Sequence, residues 1–349
     1  MTEGTTGAGR TGRPPAMTDV AALAGVSHQT VSRVLNDHPS VLPQTRQRVL
    51  AAVAELGYRR NVAARTLVTR RSGTIGVITP ATALYGPTST LVGLEEAARV
   101  AGLFVSVATI RGLDTDTMGR ALDHFLAQGV DALVVIAPTR EVVGLLSALP
   151  VPVPVVMISS THDLPDVPGL VVVGVDQHQG ARLATEHLLG SVREVLHVAG
   201  PQGWFDAQDR LAGWRAAVED AGAAAPVPVV AGWGADDGYA VGRGLVRADL
   251  PEAVFAANDQ LALGLLHAFA EAGVRVPHDV LVVGFDDEAG AAHFVPPLTT
   301  VRQDFAELGR RAVTAVTAAI GGARPEPVRI PAQLVVRTSS VRPVAVRPA

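Results

Sequence analysis

The sequence contains no cysteine, and this absence excludes disulfide bonds and thiolate-ligated metal sites. It fits a reducing compartment, so we expect a cytoplasmic protein. No run of about 18 apolar residues occurs, which argues against a membrane-spanning helix. Residues 1–16 are rich in glycine, threonine and arginine and lack the apolar segment of a secretory signal, and we expect a disordered tail there.

Lysine is also absent, so every basic side chain other than histidine is an arginine. Residues 1–72 hold 10 arginines against 4 acidic residues, whereas the remaining 277 residues hold 19 arginines against 29 acidic residues. The two parts therefore carry net charges of +6 and −10, which give the −4 of the whole chain. A basic N-terminal part on an acidic body predicts that the N-terminal part contacts a polyanion.

Catalytic motifs are missing as well. The histidines are scattered, and the sequence has no HExxH pair, no phosphate-cradling GxGxxG and no nucleophile elbow. Asp286 and Asp287 are adjacent in one turn, so they do not flank a substrate as a catalytic carboxylate pair does. We expect no catalytic residues, no metal and no cofactor in this chain of 349 residues.

The first structured segment has apolar residues at helical spacing. Thr18 is placed to cap a helix that begins at Asp19, Ser27 to cap a second helix, and a third helix is predicted from Pro43 to Leu56. Gly25 stands between the first two helices, where the turn requires a positive φ. This helix-turn-helix pattern leaves donor-rich side chains that can reach base edges on the polar face of the second helix: His28, Gln29, Ser32, Arg33 and Asn36. The alternative is a three-helix bundle with an ordinary solvated face.

From Thr74 onward, short β-branched runs alternate with amphipathic helical stretches. This alternation predicts parallel sheets with helices on both faces. About nine or ten strands exceed one compact sheet, so we expect two sheets. The predicted fold class is an all-α helix-turn-helix head followed by an α/β core of two doubly wound parallel-sheet lobes.

At this level of detail the chain resembles the LacI/GalR family of transcriptional regulators. The resemblance in the head runs through Thr18-Asp19-Val20-Ala21, Ala24-Gly25-Val26-Ser27, Gln29-Thr30-Val31-Ser32-Arg33-Val34-Leu35-Asn36, and Leu56-Gly57-Tyr58 with Asn61. In the body it runs through Arg210-Leu211-Ala212-Gly213-Trp214, Ala257-Asn258-Asp259 and Val282-Val283-Gly284-Phe285-Asp286-Asp287. It implies a sequence-specific DNA-binding repressor with a core similar to periplasmic sugar-binding proteins.

The family match assigns roles in the head. It implies a hinge helix that folds on operator DNA and inserts Leu67 into the central minor-groove step, where an apolar wedge unstacks and kinks the duplex. Without the resemblance, Leu67 would be interpreted as a linker or core leucine. The predicted DNA-contacting residues are Ser27, His28, Gln29, Thr30, Ser32, Arg33, Asn36, Ser40, Thr45, Tyr58, Asn61, Ala64 and Leu67.

The match also implies a small sugar between the lobes. Arg, Asn and Asp side chains suit sugar hydroxyls, and an aromatic ring suits a sugar face. The predicted effector-binding residues are Leu84, Tyr85, Ser159, Trp204, Arg210, Trp233, Asn258, Asp286 and Gln303. Asp286 as a turn cap and Trp233 as a core aromatic are the plain structural alternatives. Serines at Ser159 and Ser160 replace an aspartate found in the family, and Val175 replaces an aromatic, so a galactoside, a glucoside and a plant-derived oligosaccharide all stay open.

The expected domains are a tail at 1–16, the helix-turn-helix domain at 17–60, a hinge helix and linker at 61–72, a core at 73–340 and a tail at 341–349. One lobe should comprise about 73–175 and 305–331, the other about 176–302 and 332–340. The end of the chain lacks leucine heptads, so we expect a homodimer on a pseudo-palindromic operator, with no membrane partner.

Three alternatives accompany this interpretation. A sugar-binding transport protein is one, although the basic head and the missing signal segment speak against it. An α/β carbohydrate-processing enzyme with an accessory DNA-binding head is the second. The third keeps the family and reverses the sign, so that the sugar acts as a corepressor instead of an inducer.

Overall fold

The computed structural model describes residues 15–35, 37–58, 71–81, 84–110, 115–136, 139–148, 151–160 and 170–342. The chain divides into two units, residues 1–72 and residues 73–349. Among the described residues, no helix combines the length and apolarity needed to cross a membrane. Most of the predicted N-terminal tail and all of the predicted hinge helix, Val62–Val68, lie outside the described residues.

The head contains three helices in its described part, α1 (Met17–Ala24), α2 (His28–Leu35) and α3 (Pro43–Leu56). Their inward faces form one small core that includes Val20, Val31 and Val49. Gly25 has φ +61°, the left-handed conformation expected for it, and ends α1. Ser27 caps α2 as predicted, since its Oγ accepts from the backbone N–H of Thr30 at 3.1 Å.

The predicted cap at Thr18 is wrong. The first helix begins at Met17, two residues before the predicted start at Asp19, and Thr18 lies inside it. Asp19 explains the shift, because its carboxylate accepts from the backbone N–H of Ala16 at 2.7 Å and so stabilises an earlier helix start.

The first lobe of the core is built on a six-stranded sheet. Its strands are β1 (Thr74–Pro80), β2 (Phe104–Ile110), β3 (Ala132–Ile136), β4 (Val155–Ile158), β5 (Leu170–Val175) and β11 (Val328–Ile330). They lie in the order β11-β5-β4-β3-β1-β2, and every pair is parallel. The helices of this lobe are α4 (Tyr85–Val100), α5 (Thr115–Gln128), α6 (Arg140–Ala148) and α11 (Phe305–Ile320). Strands β3 and β4 are almost wholly apolar and buried, as expected for a sheet covered on both faces.

The second lobe has a four-stranded parallel sheet in the order β7-β6-β8-β9. Its strands are β6 (Leu196–Ala199), β7 (Val229–Val230), β8 (Ala253–Ala256) and β9 (Leu281–Val283). Its helices are α7 (Gln177–Leu189), α8 (Phe205–Asp220), α9 (Ala235–Arg247) and α10 (Asp259–Glu271). The first and second lobes together bear out the predicted doubly wound α/β core.

The chain passes between the lobes three times. It leaves the first sheet after β5 and enters α7, it returns from β10 (Thr300–Arg302) to α11, and it leaves again between β11 and β12 (Gln333–Val335). Strands β10 and β12 pair with each other in antiparallel fashion. Beyond β12, Ser339 is buried, and its Oγ donates to the carbonyl of Val282 at 2.6 Å. The last described segment thus fastens to the second lobe.

Candidate ligand cleft and nucleic-acid-contacting face

A cleft between the two lobes collects the ends of strands from both sheets. Its volume is about 710 Å³ including its open mouth. Residues that follow β1, β4, β6, β8 and β9 line it: Leu84, Ser159, Trp204, Asn258 and Asp286. Open α/β sheets bind ligands at the carboxyl ends of their strands, so this is the position expected of a binding site.

A closed ring of polar side chains forms the floor of the cleft. Arg210, from α8, donates through Nε to Oε1 of Gln177 at 2.9 Å. Gln177 donates to Gln303 at 2.8 Å, and Gln303 donates to Oδ1 of Asp286 at 2.6 Å. The ring closes with Nη2 of Arg210 at 3.4 Å from the same carboxylate oxygen. All four side chains are buried, so their orientations are fixed before a ligand arrives.

The charges of this floor are held in an apolar surrounding. The guanidinium of Arg210 lies 3.9 Å from the ring centre of Phe285 and 5.7 Å from that of Trp233. Burial raises the pKa of the Asp286 carboxyl to about 6, although Arg210 and the hydrogen bond from Gln303 oppose the rise. Asp286 has φ +110°, a sparsely populated conformation that functional sites often use. It follows a strand and caps no helix.

Aromatic rings form the wall of the cleft. Trp204 and Trp233 meet edge to face, with ring centres 5.9 Å apart, and Tyr85 meets Phe305 in the same manner at 5.8 Å. The ring of Trp233 lies over Gly200, where a Cβ would overlap it. Within the described part of the chain, Nε1 of Trp233 is buried and has no acceptor.

The first turn of α8 joins the two lobes beside the cleft. Phe205 is buried in an apolar pocket of the first lobe made by Val143, Met157 and Val172. The guanidinium of Arg140 lies 5.7 Å from its ring centre. Asp209, one turn further, is also at this boundary: burial raises its pKa, while the Ser160 hydroxyl and Arg329 act in the opposite direction.

All nine residues predicted to bind the effector line this one cleft: Leu84, Tyr85, Ser159, Trp204, Arg210, Trp233, Asn258, Asp286 and Gln303. Asn258 also caps α10, since its Oδ1 accepts from the backbone N–H of Leu261 at 2.8 Å. Among the polar lining residues that the predicted set left out are Gln177 and Asp206. Both stand in the first turn of a helix, where a polar residue is ordinary, and only the tertiary structure brings them to the cleft.

In the head, the predicted base-reading side chains of α2 lie on the face opposite its core. His28, Gln29 and Arg33 are exposed, Ser32 is half-buried, and Val31 and Val34 point inward. Ser27 and Ser40 are exposed, while Thr30 and Thr45 are half-buried. Most of Tyr58 is buried in the core of the head, so its contact with DNA stays a prediction. Asn36, Asn61, Ala64 and Leu67 lie outside the described residues.

Arg46 fixes the end of α2. Its guanidinium lies 2.6 Å from the carboxylate of Asp37, and it donates to the carbonyl of His38 at 3.1 Å. Asp37 has φ +52°, so this ion pair holds a left-handed residue in the turn that follows α2.

Groups of three or more His, Cys, Asp or Glu side chains that could hold a metal ion are absent from the described residues. The fold and the cleft define a two-lobed ligand-binding core of the periplasmic-binding type, joined to a helix-turn-helix head. Comparisons with known proteins agree with both parts. Residues 16–61 match the family described as bacterial regulatory proteins, lacI family, and residues 172–340 match the periplasmic binding protein-like domain. The chain belongs to the lacI family, and it is a DNA-binding transcriptional regulator.

Several relatives match along most of their length. The lactose operon repressor of Escherichia coli is 34% identical over 305 residues, which cover 86% of this chain and 83% of that protein. The HTH-type transcriptional regulator CelR of Thermobifida fusca is 35% identical over 335 residues, which cover 91% and 95%. These relatives are transcriptional regulators, which excludes the enzyme interpretation.

Solved structures lead to the same family. The lac repressor dimer bound to operator and the anti-inducer ONPF superposes with a TM-score of 0.82 at 31% identity, covering 95% of this chain and 100% of that one. The complex of the regulator CelR with cellobiose superposes with a TM-score of 0.69 at 32% identity, covering 93% and 99%.

Proposed function

We propose that this regulator is a homodimeric repressor whose affinity for a pseudo-palindromic operator is controlled by a small sugar in the cleft. The observation that carries the proposal is the preformed floor of Arg210, Gln177, Gln303 and Asp286 beneath an aromatic wall. Fixed donors and acceptors beside aromatic faces are the chemistry of sugar recognition. The relatives support it, since one is named for the lactose operon and another was solved with cellobiose.

The roles of the individual residues follow from this arrangement. Asp286 and Asn258 bind sugar hydroxyls, Arg210 orients Asp286, and Trp233 packs on a sugar face. Ser159, Gln303, Trp204, Tyr85 and Leu84 complete the site. A galactoside and a glucoside both fit this set of groups.

Operator recognition is assigned to the exposed face of α2. Gln29 and Arg33 carry the bidentate groups that suit adenine and guanine, and we assign them the base contacts. Ser27, Thr30, Ser40 and Thr45 contact phosphates, which fix the position of the head without reading sequence. Leu67, with Asn61 and Ala64, contacts the minor groove in a hinge at 61–72.

An apolar face on the first lobe supports self-association. Strand β2 lies at the edge of its sheet, and Phe104 at its start is 63% exposed. Val107 on the same strand and Val92 and Val100 on α4 are exposed as well. A monomer rarely leaves such an apolar edge strand in water, so we propose that a second copy covers this face. The dimer then presents two heads to the two halves of an operator.

The proposed mechanism is a shared conformational equilibrium. The sugar binds one arrangement of the two lobes better than the other, and that arrangement changes the affinity of the paired heads for DNA. The coupling can be no larger than this difference in binding free energy, typically about 1–3 kcal/mol. We propose an inducer, and the operator measurement distinguishes it from a corepressor by its sign. Because its target is genomic DNA, we place the protein in the cytoplasm.

A two-stage experiment tests the proposal. Purified full-length protein is screened by thermal shift against a sugar panel that includes cellobiose and lactose, and each hit is added to a gel-shift titration with a palindromic duplex. We expect a hit to raise the melting temperature and to change operator affinity by about 5- to 150-fold. Operator preference that is absent, or that ignores every stabilising sugar, contradicts the proposal.

Matched variants assign the two sites. Arg33→Ala should weaken binding to the operator by about 1–3 kcal/mol, whereas Arg275→Ala, an equal loss of charge on the surface of the second lobe, should leave it unchanged. Leu67→Ala should weaken operator binding while sparing the sugar response. Arg210→Ala should still bind the operator and should lose the response to sugar.

A further inference from the structure

Five helices begin at the cleft, and their N-termini bear on the charge of the ligand. Lining residues lie at the starts of α4, α7, α8, α10 and α11. Free N–H groups and the helix dipole make a helix N-terminus a ready site for phosphate or carboxylate. A cleft surrounded by such ends would favour an anionic ligand unless the protein occupies them itself.

The protein occupies most of them with its own acidic and amide side chains. Asp176 accepts from the backbone N–H of Gln179 at 2.9 Å in α7, and Asp304 accepts from that of Glu307 at 2.8 Å in α11. Asn258 caps α10 in the same way, as described above. Helix α8 carries Asp206 in its first turn. Only α4 lacks both a side-chain cap and an acid in its first turn, and its lining residues Leu84, Tyr85 and Pro87 are largely apolar.

The basic side chain of the cleft, Arg210, is also engaged by protein groups. Arg210 is the single basic residue among the described residues that line it. Its guanidinium donates to Gln177 and to the carbonyl of Ala257, contacts Asp286, and has the ring of Phe285 3.9 Å from its Cζ. It is 3% exposed. The guanidinium of Arg210 is therefore already engaged by protein groups. It is not free to neutralise a phosphate or carboxylate on a ligand.

Asp206 stands in contrast to these engaged groups. It lines the cleft and is half-buried, and it has no hydrogen-bond donor or cation among the residues that the structure describes. Its charge acts on the neighbouring carboxyls of Asp209 and Asp286. A free carboxylate can accept from two or more hydroxyl groups of a neutral sugar, and it repels an anion.

We propose that the cleft selects uncharged sugars over their phosphorylated and uronic-acid counterparts, and that Asp206 is the residue that sets this selectivity. The proposal rests on the proposed function and narrows its ligand to a neutral polyhydroxyl compound. Two like charges about 5 Å apart at an effective dielectric constant of about 20 repel strongly enough to weaken binding on the order of 100-fold.

Calorimetric titration of the full-length protein with paired sugars tests this selectivity. The pairs are cellobiose with cellobiose 6′-phosphate and lactose with lactose 6′-phosphate, so that the members of a pair differ only in the phosphate. We expect the neutral member of a binding pair to bind at least about 100-fold more tightly. Asp206→Asn should weaken the neutral sugar about tenfold, because a charge-assisted hydrogen bond becomes a neutral one, and should reduce the discrimination at least about tenfold.

Glu219→Gln is the matched control. It makes the same change of charge on the same helix, at an exposed position in the last turn of α8, and should alter neither value. Asp206→Ser serves as a second variant, and a melting transition like that of the wild type in the absence of sugar shows that each variant is folded.

The outcomes separate the two proposals. A wild-type protein that binds the phosphorylated sugar as tightly as the neutral one overturns the selectivity while leaving a sugar-controlled repressor intact. Wild-type discrimination retained in Asp206→Asn overturns the assignment to Asp206. A protein that binds the operator but none of these sugars, charged or neutral, overturns the sugar ligand and the selectivity together.

Discussion

Replacing Gly200 with alanine should weaken sugar binding in the cleft, although the added methyl group does not itself contact the sugar. Gly200 follows β6, and a Cβ built there would lie 2.6 and 2.8 Å from Cζ3 and Cζ2 of Trp233, with a third ring carbon nearer still. Ordinary contacts begin near 3.4 Å, so the ring must move by about 1 Å or rotate away. The backbone of Gly200 is outside the left-handed region, so alanine itself is tolerated.

The expected magnitude follows from the overlap. Forcing an extra methyl group into a packed site costs about 1–3 kcal/mol, and here the strain acts on the ring that we propose packs on the sugar. If the sugar requires the present ring position, its affinity falls by about 5- to 150-fold. Operator binding in the absence of sugar should be retained, so the variant should repress and fail to respond.

Gly203→Ala supplies the control within the same loop. A Cβ at Gly203 meets nothing within 4 Å, so this variant should bind sugar as the wild type does. Calorimetric titration gives the affinities, and combining Gly200→Ala with Trp233→Ala tests the route. If Gly200→Ala acts only by displacing the ring of Trp233, it should cause no further loss of sugar affinity in a protein that already carries Trp233→Ala. Wild-type sugar affinity in Gly200→Ala, or an equal loss in Gly203→Ala, would refute the reasoning.

Three further predictions concern the dimer, the pH response and the head. Phe104→Asp should place a charge in the proposed subunit contact and shift the protein to monomers in sedimentation experiments, whereas Val227→Asp, at an exposed valine of the other lobe, should stay dimeric. Sugar affinity should fall about tenfold between pH 7 and pH 5, because Asp286, with its pKa of about 6, becomes protonated and loses acceptor capacity. The same raised pKa means that the folded state holds this proton more tightly than the unfolded state, so Asp286 favours folding as the pH falls through this range. A sugar affinity that does not change between pH 7 and pH 5 would contradict the assignment. Arg46→Ala should destabilise the head by about 1 kcal/mol and weaken operator binding, measured by melting and gel shift, while sugar affinity is unchanged.

The parts of the fold that local patterns specify were predictable. Helix α3 begins and ends where the sequence pattern placed it, because Pro43 suits a first helical turn and Gly57 takes the left-handed conformation that ends the helix. Helix α9 was missed, since its three glycines indicate a loop. Two of them allow close packing on α10: a Cβ at Gly238 would meet the backbone of Leu261, and one at Gly242 the side chain of Ala268.

The short strands also differ from what the sequence pattern indicates, for local and for tertiary reasons. Strand β7 is only Val229–Val230 although Pro226–Ala231 has strand-forming residues, because the prolines on its N-terminal side cannot donate to the ladder. Strands β10, β11 and β12 have three residues each and depend on partners distant in sequence. The effector-binding residues predicted from the family resemblance all line the cleft. Asp206 and Gln177 also line it, but nothing in the local sequence indicates that they do.

The three passages of the chain between the lobes have a consequence for synthesis. The first sheet needs β11 for its outer strand. The second lobe needs Ser339, which bonds to Val282, and Arg337. The guanidinium of Arg337 lies 2.6 Å from the carboxylate of Asp287. A ribosome that has delivered the first 320 residues has therefore completed neither lobe, although it has released every residue of the head. In a nascent chain, the helix-turn-helix should therefore be able to fold well before the core can bind a ligand. A premature stop near the end of the coding sequence should disrupt both lobes of the core at once.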